Sequence, residues 1–379
     1  MPKIIFDLSS VTPEELESEY LFLIKNHRAD VLRQMSKYIR ESSPEFIVNS
    51  NIIFWLTQII HYGIKDKDVD LIDSAMENIA FMAEHHSEVL AFLLSKTSHL
   101  ESTKDLTILF SWFNDFYLST FDKRNNFYFE KIIQIFIPLL LKKEHEKLII
   151  DFTQPMILSS SEAGKSSLFI LSLAVLQMIK APFTPDSAKL VAQLLHVVSE
   201  HQGVLGHEHM IKRMNSRPFI GKSIVYLLAN CLKEAARTDR DVVFLICGLF
   251  REINKSQHDK LNNELGMLIE AGPFKGQNSL HIILHSLISA AYIDHNITVV
   301  QAITSIIKGV CESENSSSIQ DLFQIPITQG LNMGKTGLDL LICASEKAKL
   351  SKIPVETLES LIKLISPIVD IEPHGSKLI

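Results

Sequence analysis

Apolar residues along this chain recur with the period of an α-helix. In the segment 187–199, SAKLVAQLLHVVS, Leu190, Val191, Leu194, Leu195 and Val198 fall on one stripe. The segment 355–365, VETLESLIKLI, repeats the pattern through Leu358, Leu361, Ile362 and Ile365. Residues 12–26 open with Thr12-Pro13-Glu14-Glu15. A threonine cap, a proline in the first turn and two acids at the positive end of the dipole make a helix start. Alternating strand patterns closed by hairpin turns are missing. The expected fold class is all-α.

A short motif then recurs: glycine, a polar residue, Ser/Thr/Asn, any residue, an apolar residue and a helix. It reads Gly164-Lys165-Ser166-Ser167-Leu168, Gly221-Lys222-Ser223-Ile224-Val225, Gly276-Gln277-Asn278-Ser279-Leu280 and Gly334-Lys335-Thr336-Gly337-Leu338. The glycines are 57, 55 and 58 residues apart. Each interval has the same order: a first helix, a polar break, a second apolar helix, then a shorter helix and a loop. In the third interval these are 279–293, the break Asp294-His295-Asn296, 298–311 and 318–325. Gly164, Gly221, Gly276 and Gly334 are expected at positive φ, in the turn between units, where glycine escapes the Cβ clash. Weaker copies stand upstream, at Asn49-Ser50-Asn51-Ile52-Ile53 before FWLTQII and at Lys104-Asp105-Leu106 before TILFSWFNDFY. Counting these, the expectation is an elongated α-solenoid of about six units. It would comprise an N-terminal helical cap (1–48), diverged repeats (49–163), the clearest repeats (164–366) and a C-terminal tail (367–379).

Composition narrows the picture further. The chain has 379 residues, 46% hydrophobic and 21% charged, which excludes a mostly disordered chain. Lys and Arg number 37 against 44 Asp and Glu, a net charge of −7. That balance disfavours general binding to a phosphate backbone, whose affinity comes from clustered cations. The cysteines Cys231, Cys247, Cys311 and Cys343 form no CxxC pair and sit in apolar helical segments, as small buried hydrophobes do. The start MPKIIFDLSSVTPEELESEY lacks the basic opening and longer apolar core of a secretory signal. The longest apolar run, Ile132 to Leu141, is interrupted by Gln134 and Pro138 and is shorter than the ~20 residues that span a bilayer. A cytoplasmic protein without membrane insertion is expected.

The motif resembles the signature of ankyrin repeats, in which Gly-x-Thr-Pro-Leu-His-x-Ala opens the first helix. GQNSLHII at 276–283 matches through Ser279-Leu280-His281, and GKTGLDLL at 334–341 through Gly334, Thr336 and Leu338, with Asp339 in place of His. Ankyrin units are roughly 33 residues long, so the units here carry an extra helix or lengthened loop. Diverged units of this kind are frequent in effector proteins of intracellular bacteria. The resemblance therefore implies a scaffold that binds a protein partner on the concave face lined by first helices, with possible delivery into a host cytosol. Trp55, Trp112, Tyr226, His281 and Asp339 sit near the starts of first helices and are the expected partner-binding residues.

Three GK[ST] triplets invite a phosphate-loop reading. That loop needs a glycine five residues before the motif glycine, and those positions hold Ser159, Ser216 and Gln329. His201, His207 and His209 lie close in sequence, as do His85 and His86, but no HExxH is present. They read as solvated or capping side chains and not as a metal site. No GxSxG and no cysteine in a glycine-rich turn appears. No cofactor, metal or catalytic residue is expected. An enzyme with its site in a groove of the solenoid is the alternative to the scaffold.

Overall fold

The computed structural model describes residues 166–180, 185–215, 219–293, 296–312 and 316–366, with isolated positions nearer the N-terminus. Most of the cap at 1–48 and of 49–163, with Trp55, Trp112, Gly164 and the tail at 367–379, lie outside the described residues. Within FWLTQII, Leu56 and Ile59 are helical and fully buried, one turn apart on one face.

Nine helices run through the described stretches: α1 (Ser167–Lys180), α2 (Pro185–Ile211), α3 (Ile224–Ala235), α4 (Arg240–Gly266), α5 (Ser279–Ala291), α6 (Ile297–Glu312), α7 (Ser316–Gln324), α8 (Gly337–Leu350) and α9 (Glu356–Ile365). The described residues contain no strand, only an isolated bridge between Pro326 and Thr336. The fold is all-α and repetitive. The chain divides into two compact units. The first runs to Gly206 and includes Met214–Pro218; the second holds His207–Arg213 and everything from Phe219 onward.

In the first unit α1 is apolar on all sides, and every position from Leu168 to Met178 is buried, as expected of a helix surrounded by protein. Ser166 caps it, its Oγ accepting from the Phe169 N–H at 3.1 Å.

The second unit shows how the repeated motif works. Gly221, Gly276 and Gly334 have φ of 74°, 79° and 87°, the left-handed region that costs a glycine nothing. Two residues on, Ser223, Asn278 and Thr336 are extended N-caps of α3, α5 and α8. Their side chains accept from the N–H of Tyr226 (3.1 Å), His281 (2.8 Å) and Asp339 (3.3 Å). Each satisfies one of the donors a helix start leaves orphaned. The turn before each cap is also the same: Lys222, Gln277 and Lys335 donate from N–H to the carbonyls of Phe219, Phe274 and Asn332, each at 3.0 Å. In the later two units the loop is pinned further. The Ile269 N–H donates to Gln277 O (2.7 Å) and Gly276 N–H to Ile269 O (2.9 Å); Ile327 with Lys335 and Gly334 repeats both bonds at 2.8 Å. The GK[ST] triplets are thus helix caps.

The expected order of three helices per unit appears as α5, α6 and α7. Earlier, the second and third helices run together without a loop. Gly203 (φ 53°, ψ −135°) interrupts α2 and Gln257 (φ −141°, ψ 40°) interrupts α4. Within the second unit, first helices pack in series, α3 on α5 and α5 on α8, and second helices likewise, α4 on α6 and α6 on α9. The core between the two rows includes Val225, Leu228, Phe250, Ile283, Leu287, Ile303 and Leu341. Each such side chain contributes on the order of 1.5–3 kcal/mol by leaving water.

Side-chain and backbone hydrogen bonds tie the units of the repeat together. Asn254 Nδ2 donates to Gly309 O (3.1 Å), Asn296 Nδ2 to Ala236 O (3.3 Å), and the Thr328 N–H to Gly276 O (2.8 Å). The strongest tie is Glu264, whose buried carboxylate accepts from Arg213 Nε at 2.7 Å and Ser223 Oγ at 2.8 Å. Arg213→Ala leaves that buried carboxylate without its cation, with Ser223 its remaining donor, at a cost of about 3 kcal/mol. Glu264→Gln, which keeps an acceptor, should cost about 1 kcal/mol. Urea denaturation of the two variants checks the order.

Candidate partner-binding surface

Of the residues expected to bind a partner, the three that are described share one structural position. Tyr226, His281 and Asp339 each stand three residues after the cap, at the third residue of α3, α5 and α8. That position faces the cap and the preceding loop, which corrects the expectation of an accessible face for the first two. Tyr226 is 6% exposed and His281 0%. Tyr226 packs edge-on against Phe274, with ring centroids 6.4 Å apart. His281 Nδ1 accepts from the Asn278 N–H at 3.2 Å, closing a capping box, while Nε2 meets the Ile325 carbonyl at 3.0 Å. A carbonyl can only accept, so the neutral imidazole carries its proton on Nε2. Burial drives its pKa down to about 4, with the Ile325 bond opposing and His285 adding to the fall. Asp339 is exposed but occupied: Oδ2 accepts from Thr336 N (2.8 Å) and Oγ1 (2.9 Å).

What is accessible lies next to these positions. Ile220, Leu331 and Met333 are exposed on the loop tips ahead of α3 and α8. Lys222 holds its ammonium 5.3 Å from the Tyr226 ring centroid and 5.7 Å from that of Phe219, and partial burial lowers its pKa. Lys233 lies 4.2 Å over Phe274. His285, one turn after His281, has its pKa pushed down to about 4 by burial, then by Lys233 and Lys335. Cations stacked on aromatic faces gain ~0.5–1 kcal/mol at exposed sites and more where water is excluded. Sequence reasoning missed this cluster. The signal was Pro-Phe-x-Gly, present at 218–221 and again at 273–276, which sets Phe219 and Phe274 in the same turn position.

Two places in the second unit bear on the groove-enzyme alternative. His207 was expected to be solvated, yet it is 7% exposed and its Nδ1 lies 2.7 Å from Ser256 Oγ. The physical reason is that α2 continues past Gly203 as helix and turns this residue inward. The Ser256 hydroxyl also reaches the Glu252 and Ile253 carbonyls, at 3.1 and 3.3 Å. His207 Nε2 is 4.0 Å from Glu252 Oε2, and burial lowers the histidine's pKa. An open cleft between α6 and α9 is lined by Lys308, Cys311, Glu356, Ser360 and Leu364. Burial pushes the Cys311 thiol up to about 12, too high for a thiolate nucleophile. Cys231 and Cys247 are buried as expected, and Cys343 is half-buried. On α2, His196 Nδ1 and Glu200 Oε1 stand 3.6 Å apart. No helix among the described residues is long and apolar enough to cross a membrane.

No protein-family model matches the chain, and no curated protein matches it in sequence. Among solved structures it is similar to a circular tandem repeat protein with novel repeat topology and enhanced subunit contact surfaces. That similarity has a TM-score of 0.31 and 11% identity, over 93% of this chain and 87% of the other.

Proposed function

We propose that the chain is a helical solenoid scaffold that binds a partner protein through its loop tips and the adjoining ends of its first helices. The observation that carries this reading is the repetition of a loop–glycine–cap device, with a glycine at positive φ and an N-cap two residues on, beside exposed apolar tips at Ile220, Leu331 and Met333. The hydrogen bonds of Ile269, Gly276, Ile327 and Gly334 hold the loops in place before any partner arrives. The ordering cost of binding is therefore met during folding, and docking needs little rearrangement. Ankyrin-like ancestry of the units, a count of about six, and action on a host protein in the manner of bacterial effectors are parts of the same proposal. They rest on the motif resemblance.

Two measurements test it. Capture from cell lysate with the intact chain should retain a partner that Leu331→Ser with Met333→Ser loses while its melting temperature stays within a degree or two. Equal capture by both forms moves the binding face elsewhere. Small-angle scattering should give a radius of gyration clearly above the roughly 21 Å that compact-domain scaling assigns to a chain of this length. A value at 21 Å would rule out the solenoid.

A further inference from the structure

We infer that the first-helix starts of the second unit form a docking surface for an acidic peptide segment of the partner, studded with apolar side chains. This rests on the scaffold reading and narrows it to one class of ligand. The basis is a coincidence of charge and apolar exposure at equivalent places. Ile220-Gly221-Lys222 and Met333-Gly334-Lys335 are the same element two units apart: an exposed apolar side chain, a glycine at φ 74° or 87°, then a lysine one residue before the helix cap. No carboxylate lies within ion-pair distance of Lys222 or Lys335 among the described residues. Between the two elements, Lys233 sits 4.2 Å over Phe274. Lys233 and Lys335 both bear on His285, in the first helix of the intervening unit. Cationic groups from two units, Lys222 and Lys233 from one and Lys335 from the next but one, therefore flank the first helix of the unit between them.

This placement runs against the average, because the whole chain carries −7. A half-buried ammonium such as Lys222 has already lost part of its hydration, so an arriving carboxylate gains more there than at a fully solvated lysine. Phosphate backbones could use the cations but would leave Ile220, Leu331 and Met333 without apolar partners. A segment that mixes Asp or Glu with Leu, Ile or Phe satisfies both sets at once.

The test is selection of phage-displayed random dodecapeptides on the full chain at low salt. The bound clones are then challenged with the chain carrying Lys222→Glu and Lys335→Glu. Enriched clones should hold an excess of acidic and large apolar residues, and the double variant should bind them about tenfold more weakly. Lys222→Gln with Lys335→Gln, which adds no repulsion, should weaken binding by a smaller factor and serves where the reversed pair alters folding. Neutral or basic clones, no enrichment, or equal binding by wild type and both variants would overturn the proposal. So would tighter, lysine-dependent binding of an oligothymidylate probe. A lysate partner held equally by wild type and the reversed variant would sink this inference and leave the scaffold standing; no partner at all would sink the scaffold.

Discussion

Gly276→Ala should destabilise the protein by about 3 kcal/mol, whereas Gly334→Ala should cost only about 1 kcal/mol. Both glycines are at positive φ, 79° and 87°, and a Cβ in that region costs about 1 kcal/mol through backbone strain. They differ in what the new methyl would meet. At Gly334 nothing lies within 4 Å. At Gly276 the Cβ would stand 2.6 Å from Thr328 Oγ1, 2.8 Å from the Gln329 N and 2.9 Å from Gln329 Cβ. Two of these belong to the next loop's backbone or the root of a side chain, so relief requires the loop itself to move. That movement breaks the Thr328 N–H to Gly276 O bond (2.8 Å) that couples the two units. The Gly276 variant should therefore also unfold over a broader denaturant range, as neighbouring repeats lose their coupling. Circular dichroism in urea measures both. Equal losses at the two sites would show that strain alone sets the cost.

His281→Ala should cost about 3 kcal/mol, through a cavity in the core and two backbone groups, Asn278 N–H and Ile325 C=O, left without their partner. The same residue makes stability depend on pH. Its folded pKa of about 4 lies below the 6.5 of an ordinary histidine, so the unfolded chain takes up the proton first. The contribution is fully present above pH 6.5 and is lost as pH falls towards 4, up to about 3 kcal/mol for this one group. Protonation would put a hydrogen on Nδ1, facing the Asn278 N–H, and open the capping box. His285, also held near 4, adds to the slope in the same window. Melting temperature followed from pH 7 to 4 should fall for wild type and fall less steeply for His281→Ala. Parallel curves would remove His281 from the linkage.

Much of the local design could be read from the chain. The 3.6-residue stripes located α5, α6, α7 and α9 to within a few residues. The Gly-x-Ser/Thr/Asn spacing located both the left-handed turn and the cap, because each demands a particular side chain. Orientation was harder to read. Tyr226, His281 and Asp339 look alike as exposed-type residues at a helix start. Whether such a residue faces out depends on the cap geometry that turns the third helical position back onto the preceding loop. The fusion of second and third helices was also hidden. Gln257, where α4 breaks, is not a residue that announces a break, and α2 continues past Gly203, a residue type that favours turns. Glu264 reads as a surface acid and is in fact buried, since its partners Arg213 and Ser223 are 51 and 41 residues away.

The pinned loops separate two kinds of sequence duty. Ile269 and Ile327 anchor the loop base inside the protein, the glycines set its handedness, and Asn278 and Thr336 start the helix. Between anchor and glycine, the tip carries Pro273 and Lys275 in one unit but Leu331 and Met333 in the next, on the same hydrogen-bonded frame. The frame thus accepts a charged tip and an oily tip without change. Tip residues are free to drift or to be exchanged as cassettes, and a lineage or an engineer could rewrite what the molecule recognises while leaving how it folds untouched.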